Sequence, residues 1–130
     1  MPAYSNISVL IIDDEISIRK LLEFYLKKYF TVVTKTNGQE AKEWIEEGNE
    51  PDIVIADINM PVMDGYSLME YLRESEAYDK TPIMILSANE SSNDRIRCFK
   101  AGADDYLVKP FNPEELYYRI YNKLKRIDKL

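Results

Sequence analysis

The sequence predicts a doubly wound α/β domain, in which a five-stranded parallel sheet carries helices on both faces. Three short apolar runs neither alternate with polar residues nor reach helix length, which is typical of strands buried on both faces. Segments with apolar residues at helical spacing follow these runs. Because strand and helix alternate, the strands are expected to be parallel and joined by right-handed crossovers. The apolar runs are residues 9–12, 53–56 and 83–86.

The first two strand–helix pairs lie in the amino-terminal third of the chain. The run at 9–12 precedes a predicted helix over 16–29. The β-branched segment 31–36 predicts the second strand, and Asn37-Gly38 ends that strand and opens the second helix. The apolar residues at helical spacing in the first helix are Ile18, Leu21, Leu22, Tyr25 and Leu26.

The central apolar run ends in a carboxylate, Asp57. Asp64-Gly65 then forces a turn, and a turn role is favoured over chemistry for Asp64. A helix over 67–73 follows. Asp57 is therefore expected at the carboxyl end of a buried parallel strand, which is where open α/β sheets place their ligand sites.

The fourth helix has the weakest pattern of the five. It is predicted over 91–101, with Ile96 and Phe99 facing inward and Gly102 as a left-handed cap. A short fifth strand is predicted over 106–108.

The last helix has a strong start. Asn112-Pro113-Glu114-Glu115 combines a capping side chain, a proline at the first helical position and acidic residues in the first turn. Three tyrosines on this helix cannot all face inward with its apolar stripe, so at least one is expected to be exposed. The tyrosines are Tyr117, Tyr118 and Tyr121, and the stripe is Leu116, Ile120, Leu124 and Ile127.

Composition narrows the class of protein. The 130 residues suit one domain, spanning 1–130, that can bury a core without disulfides. The net charge of −6 argues against non-specific binding to nucleic acid or to an anionic membrane surface. Cys98 is the sole cysteine and no run approaches the length of a membrane span, so we expect a cytoplasmic protein. The chain has no histidine, which excludes Ser-His-Asp catalysis and histidine-ligated metals.

Reactive side chains follow four of the five predicted strands. Because the carboxyl ends of parallel strands lie at one edge of the sheet, these side chains should converge although they are distant in sequence. Taken singly, each has an ordinary explanation as a helix cap, a turn residue or a solvated charge. Their joint placement is what indicates a site. They are Asp13 and Asp14, Asp57, Ser87, and Lys109.

The chemistry of this set suits phosphoryl transfer. Three carboxylates in one cleft repel one another unless a cation is present, and oxygen ligands of high charge select Mg²⁺. Lys109 offers a positive charge to Asp57 or to an anion arriving there, and the Ser87 hydroxyl can donate to an oxygen of that anion. Phosphoryl transfer mainly requires positioning and charge neutralisation. Asp57 is the predicted nucleophile, which would become an acyl phosphate.

In this order and spacing, the motifs make the chain resemble a response regulator receiver domain over essentially its whole length. The matching motifs are Asp13-Asp14, Asp57 with Met60-Pro61-Val62-Met63-Asp64-Gly65 after it, Ser87-Ala88, and the run from Ala101-Gly102-Ala103 through Asp104-Asp105-Tyr106-Leu107-Val108 to Lys109-Pro110-Phe111.

The resemblance implies a flavodoxin-like fold with strand order 2-1-3-4-5. It also implies that Asp57 accepts a phosphoryl group from a histidine kinase, a phosphotransfer protein or a small acyl phosphate. Mg²⁺ would be held by Asp14, Asp57 and the backbone carbonyl of Asn59, with Asp13 acting through water. Ser87 and Tyr106 would form the switch pair, in which Ser87 moves toward the phosphoryl oxygens and the Tyr106 ring turns inward.

Further expectations follow from the resemblance. The fourth helix, fifth strand and fifth helix would control binding of a downstream protein, with the chain a monomer or a weak phosphorylation-dependent homodimer. The Lys109-Pro110 bond could be cis. Serine stands at position 87 where threonine is commoner, which keeps the hydroxyl but loses a methyl. Asn59 and Asn89 occupy positions where family members vary in how fast they lose phosphate.

Two other functions compete with a phosphoacceptor switch. A receiver-type module that binds partners without phosphorylation is disfavoured, because such a module need not keep the acids, hydroxyl and lysine together. An aspartate-nucleophile phosphatase is also disfavoured, because these enzymes resemble Asp-x-Asp and Asn59 stands two residues after Asp57. We therefore predict a signalling domain and not an enzyme. Whether the chain acts alone or within a longer protein is left open, although the last helix reaches the end without a linker.

Overall fold

Five parallel strands form one sheet in the order β2-β1-β3-β4-β5. The computed structural model describes residues 3–89 and 91–130. The strands are β1 (Tyr4–Ile12), β2 (Phe30–Lys35), β3 (Ile53–Asp57), β4 (Ile83–Ser87) and β5 (Asp105–Val108). The helices are α1 (Ile16–Leu26), α2 (Gly38–Glu46), α3 (Gly65–Glu74), α4 (Ser92–Lys100) and α5 (Pro113–Arg126). The predicted doubly wound α/β fold and its strand order are confirmed.

Each face of the sheet has its own apolar core. One core joins the sheet to α1 and α5, with Leu22 and Leu116 among its buried members. The other joins the sheet to α2, α3 and α4, with Ala41, Leu68 and Cys98. Every residue of β3 and β4 is buried, as expected for strands covered on both faces. Within the part of the chain described, helices long and apolar enough to cross a membrane are absent.

The element boundaries differ from the predictions mainly at their ends. β1 begins at Tyr4 because Tyr4 pairs with Phe30 of β2, before a register shift that precedes Ser8. The helix at 16–29 is shorter than predicted and ends at Leu26. α3 begins at Gly65, where the Asp64 side chain accepts a hydrogen bond from the Ser67 amide at 2.9 Å. The turn role predicted for Asp64 is therefore confirmed, as a helix cap.

The prediction that Ile96 and Phe99 face inward is wrong. Their side chains are 49% and 45% exposed, and Cys98 is the buried residue of α4. At 100° per residue Ile96 lies almost opposite Cys98, so the helix cannot bury both. A small buried cysteine leaves little signal in the sequence. The left-handed cap is confirmed, since Gly102 has φ of +110°.

The last helix agrees with its prediction. The Asn112 side chain accepts a hydrogen bond from the Glu114 amide, and Pro113 is the first helical residue. Tyr118 is the exposed tyrosine, at 46%, whereas Tyr117 is buried. Three members of the predicted stripe are fully buried, and Ile127 is half-buried just beyond the helix end.

Arg73, near the end of α3, joins two loops at the edge of the sheet where the strands begin, the loop before β4 and the loop before β5. Its guanidinium donates to the carbonyl of Thr81 at 2.7 Å and to that of Gly102 at 2.7 and 3.1 Å. It also pairs with Asp104 at 3.1 Å. A Cβ on Gly102 would lie 2.8 Å from Arg73 Nε, so this glycine permits the contact as well as the turn.

We expect Arg73→Ala to lower the free energy of unfolding by about 2–4 kcal/mol, because several partly buried carbonyls lose a charged donor together. Urea unfolding followed by circular dichroism measures this loss. Arg126→Ala is the matched control, since Arg126 is an exposed arginine on α5, and it should change stability by less than about 0.5 kcal/mol. Equal losses in both variants would contradict the role assigned to Arg73.

Candidate functional site

The carboxyl edge of the sheet brings the predicted acids together. Carboxylate oxygens of Asp13, Asp14 and Asp57 all lie within 4.8 Å of one another. Asp13 is fully buried and Asp57 is 6% exposed, whereas Asp14 is exposed. Because β1 and β3 are neighbouring parallel strands, residues that directly follow or end them meet at this edge.

Lys109 is the cation of this cluster. Its Nζ lies 2.8 Å from Asp13 Oδ2, 3.4 Å from Asp57 Oδ2 and 3.5 Å from Glu15 Oε1. Burial alone would lower the pKa of Lys109, but its hydrogen bond to Asp13 and the charges of Asp57, Asp13 and Glu15 outweigh burial and raise it. Lys109 is therefore held as a cation beside Asp57. The Lys109-Pro110 bond is cis, as the resemblance suggested.

Two residues at the start of α1 support Asp13 and were not among the predicted site residues. The Glu15 amide donates to Asp13 Oδ1 at 2.9 Å, and Arg19 Nη1 donates to the Asp13 carbonyl at 2.7 Å. Glu15 stands in the acidic run after β1, which was a signal for its proximity. Arg19 carried no comparable signal, because a basic residue on an amphipathic helix is usually solvated.

The pKa of Asp57 is raised from its ordinary value. Burial is the main cause, and the Asp13 charge adds to it. The Lys109 charge, and hydrogen bonds from the Asn59 amide and from Lys109, act in the opposite direction and lower the pKa. Burial prevails, so the folded protein disfavours the ionised carboxylate in the absence of a bound cation.

This shift predicts how stability depends on pH. Since the folded state holds the Asp57 proton more tightly than the unfolded state, the free energy of unfolding falls as pH rises from the ordinary carboxyl value through the raised one. In a metal chelator at pH 7, Asp57→Asn should therefore be more stable than wild type, on the order of 1 kcal/mol or a few degrees in Tm.

Thermal unfolding at pH 7 and near pH 4 measures this effect, which should shrink at the lower pH. Asp79→Asn is the control, because Asp79 is an exposed acid in the loop before β4, and it should leave Tm unchanged. A Tm for Asp57→Asn equal to or below that of wild type at pH 7 would contradict the expectation.

A glycine permits the close approach of α3 to the end of β3. A Cβ on Gly65 would lie 2.8 Å from the carbonyl oxygen of Asp57 and 2.9 Å from Ile58 Cα. The Gly65 amide donates to the Ile58 carbonyl at 3.0 Å. Any larger residue would push this loop away from the backbone that carries Asp57, so Gly65 helps to fix the site.

Ser87 and Tyr106 are linked through Asn89. Ser87 is fully buried at the end of β4, and its Oγ accepts a hydrogen bond from the Asn89 amide at 3.1 Å. The Tyr106 ring is 8% exposed, and its hydroxyl donates to the Asn89 carbonyl at 2.6 Å. The two residues predicted as a switch pair thus contact one backbone unit.

The donor set fits a hard divalent cation. Three carboxylates within 4.8 Å of one another supply the oxygen ligands and the negative charge that Mg²⁺ prefers. Asn59 lies at the same edge and is exposed. Its backbone carbonyl therefore remains a predicted ligand of Mg²⁺.

The fold and the edge cluster are those of a family of signalling domains. The chain belongs to the response regulator receiver domain family, because the family model matches residues 9–121. The receiver domain is the part of two-component response regulators whose general role is to accept phosphate.

Solved structures similar to this chain are receiver proteins. A putative response regulator from Chloroflexus aurantiacus is 36% identical with a TM-score of 0.85, covering 96% of this chain and 99% of that one. The chemotaxis response regulator CheY4 of Vibrio cholerae is 35% identical with a TM-score of 0.83, covering 89% of this chain and 97% of that one.

Curated relatives are longer. Probable transcriptional regulator ycf27 of Guillardia theta is 46% identical over 123 residues, which are 93% of this chain and 46% of that protein. Transcriptional regulatory protein SrrA of Staphylococcus aureus is 42% identical over 119 residues, which are 91% of this chain and 48% of that protein. The chain thus spans about half the length of the curated relatives it matches.

Proposed function

We propose that Asp57 is the phosphoacceptor of a two-component switch, with a histidine kinase, a phosphotransfer protein or a small acyl phosphate as donor. The observation that carries this proposal is the placement of Lys109 Nζ, 3.4 Å from Asp57 Oδ2 and 2.8 Å from Asp13 Oδ2. A buried nucleophilic carboxylate beside a fixed cation is suited to receive an anionic group.

In the proposed step, one Asp57 carboxylate oxygen forms a bond to phosphorus. The bond from phosphorus to the leaving atom breaks, and its electron pair departs with the carboxylate of an acyl phosphate or with the imidazole of a phosphohistidine. Lys109 neutralises charge on the incoming group, and the Ser87 hydroxyl donates to a phosphoryl oxygen.

Asp13, Asp14, Asp57 and the Asn59 carbonyl would hold Mg²⁺. When bound, Mg²⁺ supplies positive charge to the phosphoryl oxygens and to the three carboxylates. The same ion would relieve the repulsion between Asp13 and Asp57, which adds to burial in raising the pKa of Asp57.

The output surface we propose is the face formed by α4, β5 and α5. The Tyr106 hydroxyl of β5 donates to the Asn89 carbonyl, and the Asn89 amide donates to Ser87 Oγ. A change at Ser87 can therefore reach this face through Asn89. Ile96 and Phe99 of α4, exposed against prediction, offer apolar contacts to a downstream protein. A monomer or a weak phosphorylation-dependent homodimer remains the predicted state.

The names of the curated relatives point to control of transcription. For this chain we still predict no direct contact with nucleic acid or membrane, because its net charge is −6 and such contacts need a basic field. We also propose a cytoplasmic location, where the kinase and Mg²⁺ are available. DNA contact in a longer protein would then come from another region.

The test is the intact mass of the chain after incubation with acetyl phosphate, with Mg²⁺ or with a chelator. We expect a gain of one phosphoryl group that requires Mg²⁺. No gain under either condition, nor with any phosphorylated histidine kinase or phosphotransfer protein, would overturn the proposal. That outcome would support a module that binds partners without phosphorylation.

A further inference from the structure

The backbone of Asn89 is hydrogen-bonded to both members of the switch pair, Ser87 and Tyr106. Its amide donates to Ser87 Oγ at 3.1 Å, and its carbonyl accepts from the Tyr106 hydroxyl at 2.6 Å. Whatever holds Asn89 in place therefore also influences the orientation of the Ser87 hydroxyl.

The side chain of Asn89 is held by the first turn of α4. Its Nδ2 donates to Asp94 Oδ2, and its Oδ1 accepts from the Ser91 amide at 2.7 Å. With both ends of the amide engaged, the side chain points to α4. Asp94, Asn89 and the neighbouring Arg97 also line a small cavity of about 90 Å³ together with Asn59 and Tyr106, so this first turn borders the site.

A second contact joins the same turn to the switch. The Arg95 guanidinium lies over the Tyr106 ring, 5.5 Å from its centroid. The start of α4 thus reaches Tyr106 in two ways, directly through Arg95 and indirectly from Asp94 through Asn89. Displacing this turn would release constraints on the ring and on the Asn89 peptide at once.

We propose that Asp94 is a positioning residue for phosphoryl transfer. The Asp94 carboxylate accepts a hydrogen bond from the side chain of Asn89. This contact holds the Asn89 backbone in the position where it bonds to Ser87 and Tyr106. The inference rests on the proposed phosphoacceptor function of Asp57. It adds a route by which the position of α4 sets the orientation of Ser87.

A simpler role for Asp94 is the ordinary one of an acid in the first turn of a helix. There it stabilises the helix through the positive end of the dipole, and Asn89 is not needed. The two roles differ in one respect: a helix-dipole effect persists when Asn89 is replaced, whereas a positioning effect depends on the Asn89 side chain.

A double-mutant cycle tests this difference. The variants are Asp94→Ala, Asn89→Ala and the double variant, with Asn93→Ala, an exposed neighbour on α4, as control. The rate of phosphoryl gain from acetyl phosphate is measured by intact mass. We expect Asp94→Ala to slow this rate about fivefold, the effect of one lost hydrogen bond. Asn89→Ala should slow it at least as much, because the Asn89 side chain also accepts from the Ser91 amide. The double variant should be no slower than Asn89→Ala, and the control should match wild type.

A second readout does not depend on phosphorylation. The ring signals of ¹³C-labelled Tyr106, assigned with Tyr106→Phe, should shift in Asp94→Ala and Asn89→Ala alike and stay unchanged in Asn93→Ala. Far-UV circular dichroism confirms that each variant is folded.

The outcomes separate the two proposals. Two single effects that multiply in the double variant, or a wild-type rate together with an unchanged Tyr106 signal in Asp94→Ala, would overturn the positioning role. A wild-type protein that gains no phosphoryl group would overturn the proposed function instead. In that case the Tyr106 signal still decides whether Asp94 holds the Asn89 segment.

Discussion

Asp57→Asn is expected to abolish the Mg²⁺-dependent gain of a phosphoryl group from acetyl phosphate. The amide oxygen of asparagine carries no full charge and is a poor nucleophile, so the acyl phosphate cannot form. The expected loss in rate is at least about a thousandfold, as for removal of other nucleophiles. Intact mass over a time course measures it.

The control for this variant is Asp79→Asn, which removes an exposed carboxylate far from the cluster and should gain phosphate at the wild-type rate. Peptide mapping of the wild-type protein should place the modification on the peptide that contains Asp57. A phosphoryl gain that persists in Asp57→Asn would show that another side chain is the acceptor, and it would contradict the assignment of Asp57.

Lys109→Ala is expected to slow phosphoryl gain by about 10²–10³-fold, the usual effect of removing one fixed donor from a developing negative charge. The Lys109 charge also lowers the pKa of Asp57. Without the Lys109 charge, Asp57 ionises at higher pH, so the acid limb of the pH–rate profile should move to higher pH. Both effects follow from the same 3.4 Å contact.

Lys123→Ala is the matched control for Lys109→Ala. Lys123 also pairs with an aspartate, Asp104, at 3.1 Å, but at the opposite edge of the sheet. It should leave the rate and the pH profile unchanged. If Lys109→Ala were phosphorylated at the wild-type rate with an unshifted profile, Lys109 would be a structural partner of Asp13 and no more.

The prediction of which α4 residues face inward was wrong, whereas strands β3 and β4 lie where they were predicted, and burial explains the difference. β3 and β4 are buried throughout and apolar up to their last residues, Asp57 and Ser87, and such patterns have few alternative explanations. α4 is buried only at Cys98, so its sequence carries almost no apolar stripe. Ile96 and Phe99 were then the most apolar residues available, and they lie on the outer surface instead.

The sequence by itself determined the parallel sheet and the meeting of Asp13, Asp57, Ser87 and Lys109 at one edge, and its resemblance to receiver domains implied the strand order. Parallel strands end together, so convergence follows from topology alone. Only the tertiary structure decided which of these groups pair: Lys109 lies nearer to Asp13 than to Asp57.

The tertiary structure also decided the links that cross between elements. Arg73 bonds Gly102 across 29 residues of chain, and Tyr106 reaches Asn89 across 17. Local patterns report burial and helix ends, because those depend on neighbours in sequence. A hydrogen bond from a side chain to a carbonyl far along the chain depends on how packed elements approach one another, and local periodicity carries no information about that approach.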